Sequence, residues 1–487
     1  MVIGSGPGRW GALLAAALVA GCVTQTPVAT DTRPTAAVSA PAATALPNSA
    51  IAIPLDYYKL DNGLKVVLSR DTTAPTVTVG VYYHIGFRIE PKDRTGFAHL
   101  FEHLMFQGSA NLGKMEFIRL VEGNGGVLNG STRFDYTNYY QIVPAEVLET
   151  VLWAEADRMK GLAITQANLT NQQGVVKNEV RDATMNQPYG GFPWLTMPQV
   201  ANANWYNAHN FYGDLADLDA ATLADARSFF DTYYAPNNAA LVVAGDFDPA
   251  AARAWIAKYF AGIPARAQPP RPDLTEPPQR AERRDSYVDR LAPRPALALA
   301  WHVPPRNTPE LYAFSLLDSI LLQGEDSRLW QKLVQQRGYA GAVGGGINLL
   351  GNEFTYEGPM LWTMYLVHDP AARPEAIIAD VDAEIARIQA EPPSAEELDR
   401  ALTKLRASLY DLAGSSTRFG LVELLACFAL FDDDPGHINR IESEFRAVPP
   451  ALISEVARNY LGTAQRSVQL VEPGSAPAAS APPESPP

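Results

Sequence analysis

The run His99-Leu100-Phe101-Glu102-His103, with Glu179 further along the chain, is where this sequence could do chemistry. On a helix, residues four apart share a face, so His99 and His103 would point two imidazoles at one metal ion. Glu102 flanks the same ion without needing to bind it. Two histidines and a later carboxylate make three protein ligands, the pattern a catalytic zinc takes when its fourth position is left for water. Zinc activates water and polarises a carbonyl, and a flanking glutamate can accept and return a proton, so the chemistry implied is hydrolysis. The chain has 7 histidines in 487 residues. A chance H-x-x-E-H is therefore uncommon, on the order of one such chain in a hundred.

These residues must be positioned by neighbouring elements. The motif predicts a helix capped by Thr95, running through Phe106 and stopping at Gly108. Leu100, Phe101, Leu104 and Phe106 make that helix largely buried. A buried helix displaying two imidazoles and a carboxylate needs a reason, because unpaired buried polar groups are costly. Residues 125–132 read as a turn and short strand, and 135–144 as its β neighbour. Helices are predicted over 145–159 and 166–184, the second carrying Glu179.

The run from Gly96 to Gly108, the Gly125-Gly126-x-x-Asn129 strand and the helix holding Val175-Val176-Lys177-Asn178-Glu179 resemble the pitrilysin/insulinase family of zinc metallopeptidases (inverzincins). The mitochondrial processing peptidase and many bacterial proteins belong to that family. Tyr233-Tyr234-Ala235-Pro236-Asn237-Asn238 and Leu241-Val242-Val243-Ala244-Gly245-Asp246 resemble its signature near the end of the first repeat. The resemblance runs from about Leu60 to Leu461. It implies that His99, His103 and Glu179 bind Zn2+ and that Glu102 is the general base. It also implies that 127–132 is an edge strand to which a peptide substrate adds, with Asn129 the candidate side chain near it. One departure stands out: Gln172 and Gln173 lie where the family often has a supporting carboxylate.

The fold expected is α+β, with two homologous repeats, each a mixed β-sheet packed by α-helices, forming half of a clamshell. Residues 51–264 make the catalytic repeat, 265–286 a Pro- and Arg-rich linker, and 287–472 a non-catalytic repeat. In the second repeat a helix near 310–322 takes the place of the motif helix, but it has no histidine and its core polar residues are Ser315, Asp318 and Ser319. The family's larger members place an Arg and a Tyr from a far half against substrate. Here Arg337 and Tyr339 read as loop residues, so another polypeptide should complete the shell. It could be a second copy, giving a homodimer, or a related subunit lacking the motif, giving a heterodimer.

The N-terminus predicts a compartment. Arg9, the apolar run 12–20 and Cys22 resemble a lipoprotein signal, with residues 1–21 removed and Cys22 lipidated; the alternative is an ordinary signal peptide with a coincidental Cys. Val23 leans toward outer-membrane sorting. Residues 22–50 and 473–487 read as a tether and a tail, too poor in large apolar residues to pack a core. Cys427, in an apolar stretch, reads as a buried inert thiol. The net charge of −14 argues against nucleic acid as a partner. His84, His209, His302, His368 and His437 are scattered singly, the aromatics Trp205, Tyr206, Phe211 and Tyr212 read as packing, and Asp432-Asp433-Asp434 reads as a solvated loop. Together these observations predict a zinc-dependent peptidase acting on unfolded peptides on the periplasmic side of a bacterial membrane. A subunit active only as half of a heterodimer, or a non-hydrolytic binding subunit, are the other readings.

Overall fold

The computed structural model describes residues 52–474. The predicted signal segment, Cys22, the tether and nearly all of the tail lie outside the described residues.

Two mixed sheets organise the chain. The first contains β1 (Asp56–Lys59), β2 (Lys65–Arg70), β3 (Thr76–Tyr83), β4 (Val127–Thr132), β5 (Thr137–Pro144) and β6 (Ala239–Gly245), in the order β1-β2-β6-β3-β5-β4. The second contains β7 (Arg283–Asp289), β8 (Ala296–His302), β9 (Gly344–Ile347), β10 (Leu361–Val367) and β11 (Ser467–Pro473), in the order β7-β11-β8-β10-β9. With β1 set aside, the two orders are the same path: first, last, second, fourth, third. In each sheet the last strand runs parallel to the first and antiparallel to the second. This is the α+β pair of repeats that the sequence predicts. β7 begins at Arg283, within the stretch read as linker.

Sequence explains the placement of the strands. β6 reads Ala-Ala-Leu-Val-Val-Ala-Gly and is buried throughout, because both of its edges are paired and both faces covered. β4 reads Val-Leu-Asn-Gly-Ser-Thr, is only partly buried and pairs with β5 alone. It is therefore an edge strand.

Among the helices, those that bear on the site and its platform are α1 (Phe97–Leu104), α2 (Leu148–Lys160), α3 (Gln166–Val180), α4 (Met197–Ala201), α5 (Pro249–Phe260), α6 (Pro309–Leu321) and α7 (Phe419–Cys427). α1, α2, α3 and α5 cover one face of the first sheet, with Val79, Val81, Leu241 and Val243 beneath them. The other face is covered by the second half: α7 lies on β3 and β6, and Val67, Tyr82 and Val242 join the core that holds Leu424 and Phe428. The exchange is reciprocal, since α4 of the first half lies on β7, β8 and β11. Cys427 is fully buried in α7, as expected. Asp432, Asp433 and Asp434 are only partly solvated: Asp433 is exposed, and Asp432 is the most buried of the three. They pair with Arg306, with Lys59 and Lys65, and with Arg440, and the Asp433 pairs tie the first strands to the second half.

α6 stands between the second and third strands of its repeat, as α1 does in the first, and it carries no histidine. Its Asp318 accepts hydrogen bonds from the Trp362 indole N–H and from the Gln323 amide at 3.0 Å. Burial pushes the Asp318 carboxyl up to about 7, against those two bonds, and the Glu353 charge adds to the rise. The folded protein thus holds this proton more tightly than the unfolded chain does. The stability contributed by this group falls as pH rises from about 4, the unfolded value, through about 7, and is flat above that. Asp318→Asn removes the cost of ionisation. It is expected to stabilise the protein by about 1–3 kcal/mol at pH 8, with the gain vanishing toward pH 4, measured by denaturant unfolding across that range.

Candidate metal centre and active site

α1 is placed by a residue that lies outside it. Its N-cap is Gly96, in the left-handed region at φ 82°, and no side chain of the helix's own first turn caps it. Glu90 does so from the preceding turn. Its carboxylate, 0% exposed, accepts the Gly96 N–H at 2.8 Å and the Ala98 N–H at 2.5 Å. Burial pushes the Glu90 carboxyl up, while His209 and the two amides oppose that rise. Thr95, the cap expected from sequence, instead donates its N–H and hydroxyl to Asp217. The helix also ends at Leu104 rather than Phe106.

Backbone meets backbone here. A Cβ on Gly96 would lie 2.6 Å from the Tyr212 carbonyl oxygen, and one on Gly213 would lie 2.3 Å from the Gly96 nitrogen. The two glycines allow the 211–213 strap to cross the start of α1, which sets the rings of Phe211 and Tyr212 at 5.2 and 5.3 Å from that of His99. His209 stacks on Trp205 and bonds to the Phe87 carbonyl, so these aromatics pack, as the sequence suggests.

α3 brings the third group. Thr165 caps it by accepting the Asn168 N–H, and the helix passes into a wider turn over Arg181–Met185 just after Glu179. Nε2 of His99 and Nε2 of His103 are 3.4 Å apart. Glu179 Oε1 is 3.4 Å from His99 Nε2, and Glu179 Oε2 is 3.2 Å from His103 Nε2. Zinc with N and O ligands at about 2.0–2.1 Å in a tetrahedron has ligand–ligand edges of about 3.4 Å. The two imidazole nitrogens stand at that edge length, a carboxylate oxygen lies against each, and one donor atom from each residue lies within 4.8 Å of the others, so the donor set fits that ion. Burial alone would raise the Glu179 carboxyl, but the two imidazoles hold it well below its usual range. Burial alone would lower His99, but Glu179, with Glu102, raises it instead.

The support behind His99 is sparse, in line with Gln172 and Gln173 in the sequence. His99 Nδ1 is buried and has no hydrogen-bond partner among the described residues. Gln172 donates to Asn171, and Gln173 donates to the Leu218 and Ala221 carbonyls, so neither amide is spent on His99. The imidazole is oriented by ring packing and by its Nε2 contacts.

Glu102 stands on α1 beside the cluster and faces β4. The Thr132 hydroxyl donates to Glu102 Oε2 at 2.8 Å. A Cβ on Gly130 would lie 3.2 Å from Glu102 Cγ. Leu128, Gly130 and Thr132 thus form the β4 face toward α1, and Val127, Asn129 and Ser131 form the other. Asn129 is exposed on the edge strand and its Oδ1 accepts the Gly130 N–H, so its side chain is not part of the cluster. Arg337 and Tyr339 both bond to Asp380. Sequence reasoning missed Glu90 and Thr132, whose roles rest on contacts that no local motif announces.

The insulinase (peptidase family M16) model matches residues 65–202, and the model of the peptidase M16 inactive domain matches residues 220–405. The zinc protease PqqE of Helicobacter pylori is 25% identical over 419 residues, spanning 85% of this chain and 92% of that protein. A protease from Helicobacter pylori has the same fold in its crystal structure, with a TM-score of 0.80 at 24% identity over 86% of this chain and 100% of that one. The periplasmic protease PqqL from Escherichia coli gives a TM-score of 0.71 at 20% identity, covering 87% of this chain and 48% of that chain.

Glu90→Ala leaves two buried amides without an acceptor, at about 1–3 kcal/mol each. The variant is expected to be less stable than wild type by about 2–4 kcal/mol in denaturant unfolding, and Glu90→Asp by less.

Proposed function

This chain belongs to peptidase family M16, the insulinase family, and from that premise we propose that it is a zinc-dependent peptidase that hydrolyses unfolded peptides in the bacterial cell envelope. The observation that carries the reading is the cluster of the two imidazole Nε2 atoms of His99 and His103, 3.4 Å apart, with one Glu179 carboxylate oxygen against each at 3.2–3.4 Å and Glu102 beside it. His99, His103 and Glu179 would hold the ion. When bound, zinc supplies Lewis acidity that lowers the pKa of water toward about 7 and polarises the peptide carbonyl. Glu102 takes the proton from the attacking water onto a carboxylate oxygen and returns it to the leaving amine nitrogen. The unpaired edge of β4 accepts an extended peptide by backbone hydrogen bonds, which give affinity with little dependence on sequence, and Asn129 lies along that edge.

The second repeat contributes no metal ligand. α6 lacks histidine, and the inactive-domain match over much of this region supports the same assignment. The chain spans about half of PqqL, which supports a second polypeptide completing the chamber, either another copy or a zinc-less homologue. The lipoprotein-like leader with Cys22, and the periplasmic setting named for PqqL, support an envelope location with a lipid anchor.

The test is metal content and cleavage of a mixed pool of unfolded peptides by the chain beginning after Cys22. One zinc per chain is expected. Glu102→Gln should retain that zinc and lose about 10²–10⁴-fold in kcat. A chain without zinc contradicts the metal assignment, and a zinc-loaded but inert wild type means that a partner is required. Protons compete with zinc for His99, whose proton is held more tightly through Glu179. Zinc affinity by chelator competition is therefore expected to weaken as pH falls from 8 to 6.

A further inference from the structure

The hydroxyl of Thr132 is buried, 0% exposed, and it has two acceptors within reach on α1. The Ala98 carbonyl lies at 3.4 Å and Glu102 Oε2 at 2.8 Å. The shorter bond goes to the carboxylate. Oε1 of the same carboxylate accepts no hydrogen bond among the described residues, so the two oxygens of Glu102 are not equivalent. We propose that Thr132 is a positioning residue for the base: it anchors Oε2 and leaves Oε1 as the oxygen that receives and returns the proton.

The anchor is itself firmly held. Thr132 pairs with Thr137 at the end of the β4–β5 ladder, and the Thr137 hydroxyl donates to the Ile85 carbonyl at 2.7 Å. Gly130, two residues earlier on the same face, leaves room for the Glu102 side chain to lie against the strand. The base is thus seated on the strand whose free edge takes the peptide. A carboxylate fixed by one charge-assisted hydrogen bond reaches its reacting geometry without a rotamer search, and that advantage appears in turnover rather than in substrate binding.

This inference rests on the reading of Glu102 as the base. Thr132→Val keeps the shape of the side chain and removes the donor; Thr132→Ser keeps the donor. In the zinc-loaded protein with an unfolded-peptide substrate, Thr132→Val is expected to lower kcat by about 10–100-fold with KM and zinc affinity near wild type, and Thr132→Ser to recover kcat to within about threefold. Wild-type kcat in Thr132→Val, equal losses in Val and Ser, or a loss carried by KM would each overturn it. A second readout does not depend on turnover. In protein labelled with carboxyl-¹³C glutamate, the Glu102 signal is identified by its absence in Glu102→Gln. That signal should move in Thr132→Val and stay in place in Thr132→Ser, and an unmoved signal in Val overturns the proposal. If the zinc-loaded wild type does not cleave alone, a partner is required for turnover, and the labelled carboxyl still decides whether Thr132 holds it.

Discussion

Eight residues of helix are too few to be stable alone in water, so α1 takes its position entirely from what packs on it. Glu90 fixes its start through two amides, the 211–213 strap crosses that start backbone to backbone, and β4 receives its Glu102 side. Only with those three restraints do His99 and His103 meet Glu179 from α3. The cluster is therefore built less from the motif than from the elements that converge on it. Its geometry is assembled by tertiary contacts spread from residue 90 to residue 213.

The two repeats supply the platform. Each sheet has the same strand path, and each is covered in part by a helix from the other half, α7 on the first sheet and α4 on the second. This exchange leaves one continuous body rather than two beads on a linker. The second repeat thereby supports the first: its α7 forms the floor under β3 and β6, the central strands of the sheet that carries β4 at its edge. Where α1 displays imidazoles, α6 keeps an acid, Asp318, hydrogen-bonded by Trp362 and Gln323.

Much of this was legible in the sequence. The spacing of His99, Glu102 and His103 needs only helical periodicity to be read, and the apolar run of β6 and the turn before β4 announce themselves. The motif segments carried the family resemblance, and with it came the repeated α+β architecture. What could not be read were the contacts that join distant segments. Thr95 has the right residue type for a cap, yet Glu90 wins because it offers two acceptor oxygens to two amides from a fully buried position. The three consecutive aspartates look like a solvated loop until Arg306, Lys59, Lys65 and Arg440 arrive from elsewhere in the chain. Thr132 reads as one more strand threonine until the fold sets it against Glu102.

The central claim is that one ion is held by two imidazoles and one carboxylate, with room left for water. X-ray absorption at the zinc edge of the loaded protein tests it most directly. Two imidazole nitrogens and two oxygens at about 2.0–2.1 Å are expected, with one oxygen lost or altered in Glu179→Gln. A first shell of six oxygens, a third imidazole, or a spectrum unchanged by Glu179→Gln would contradict it.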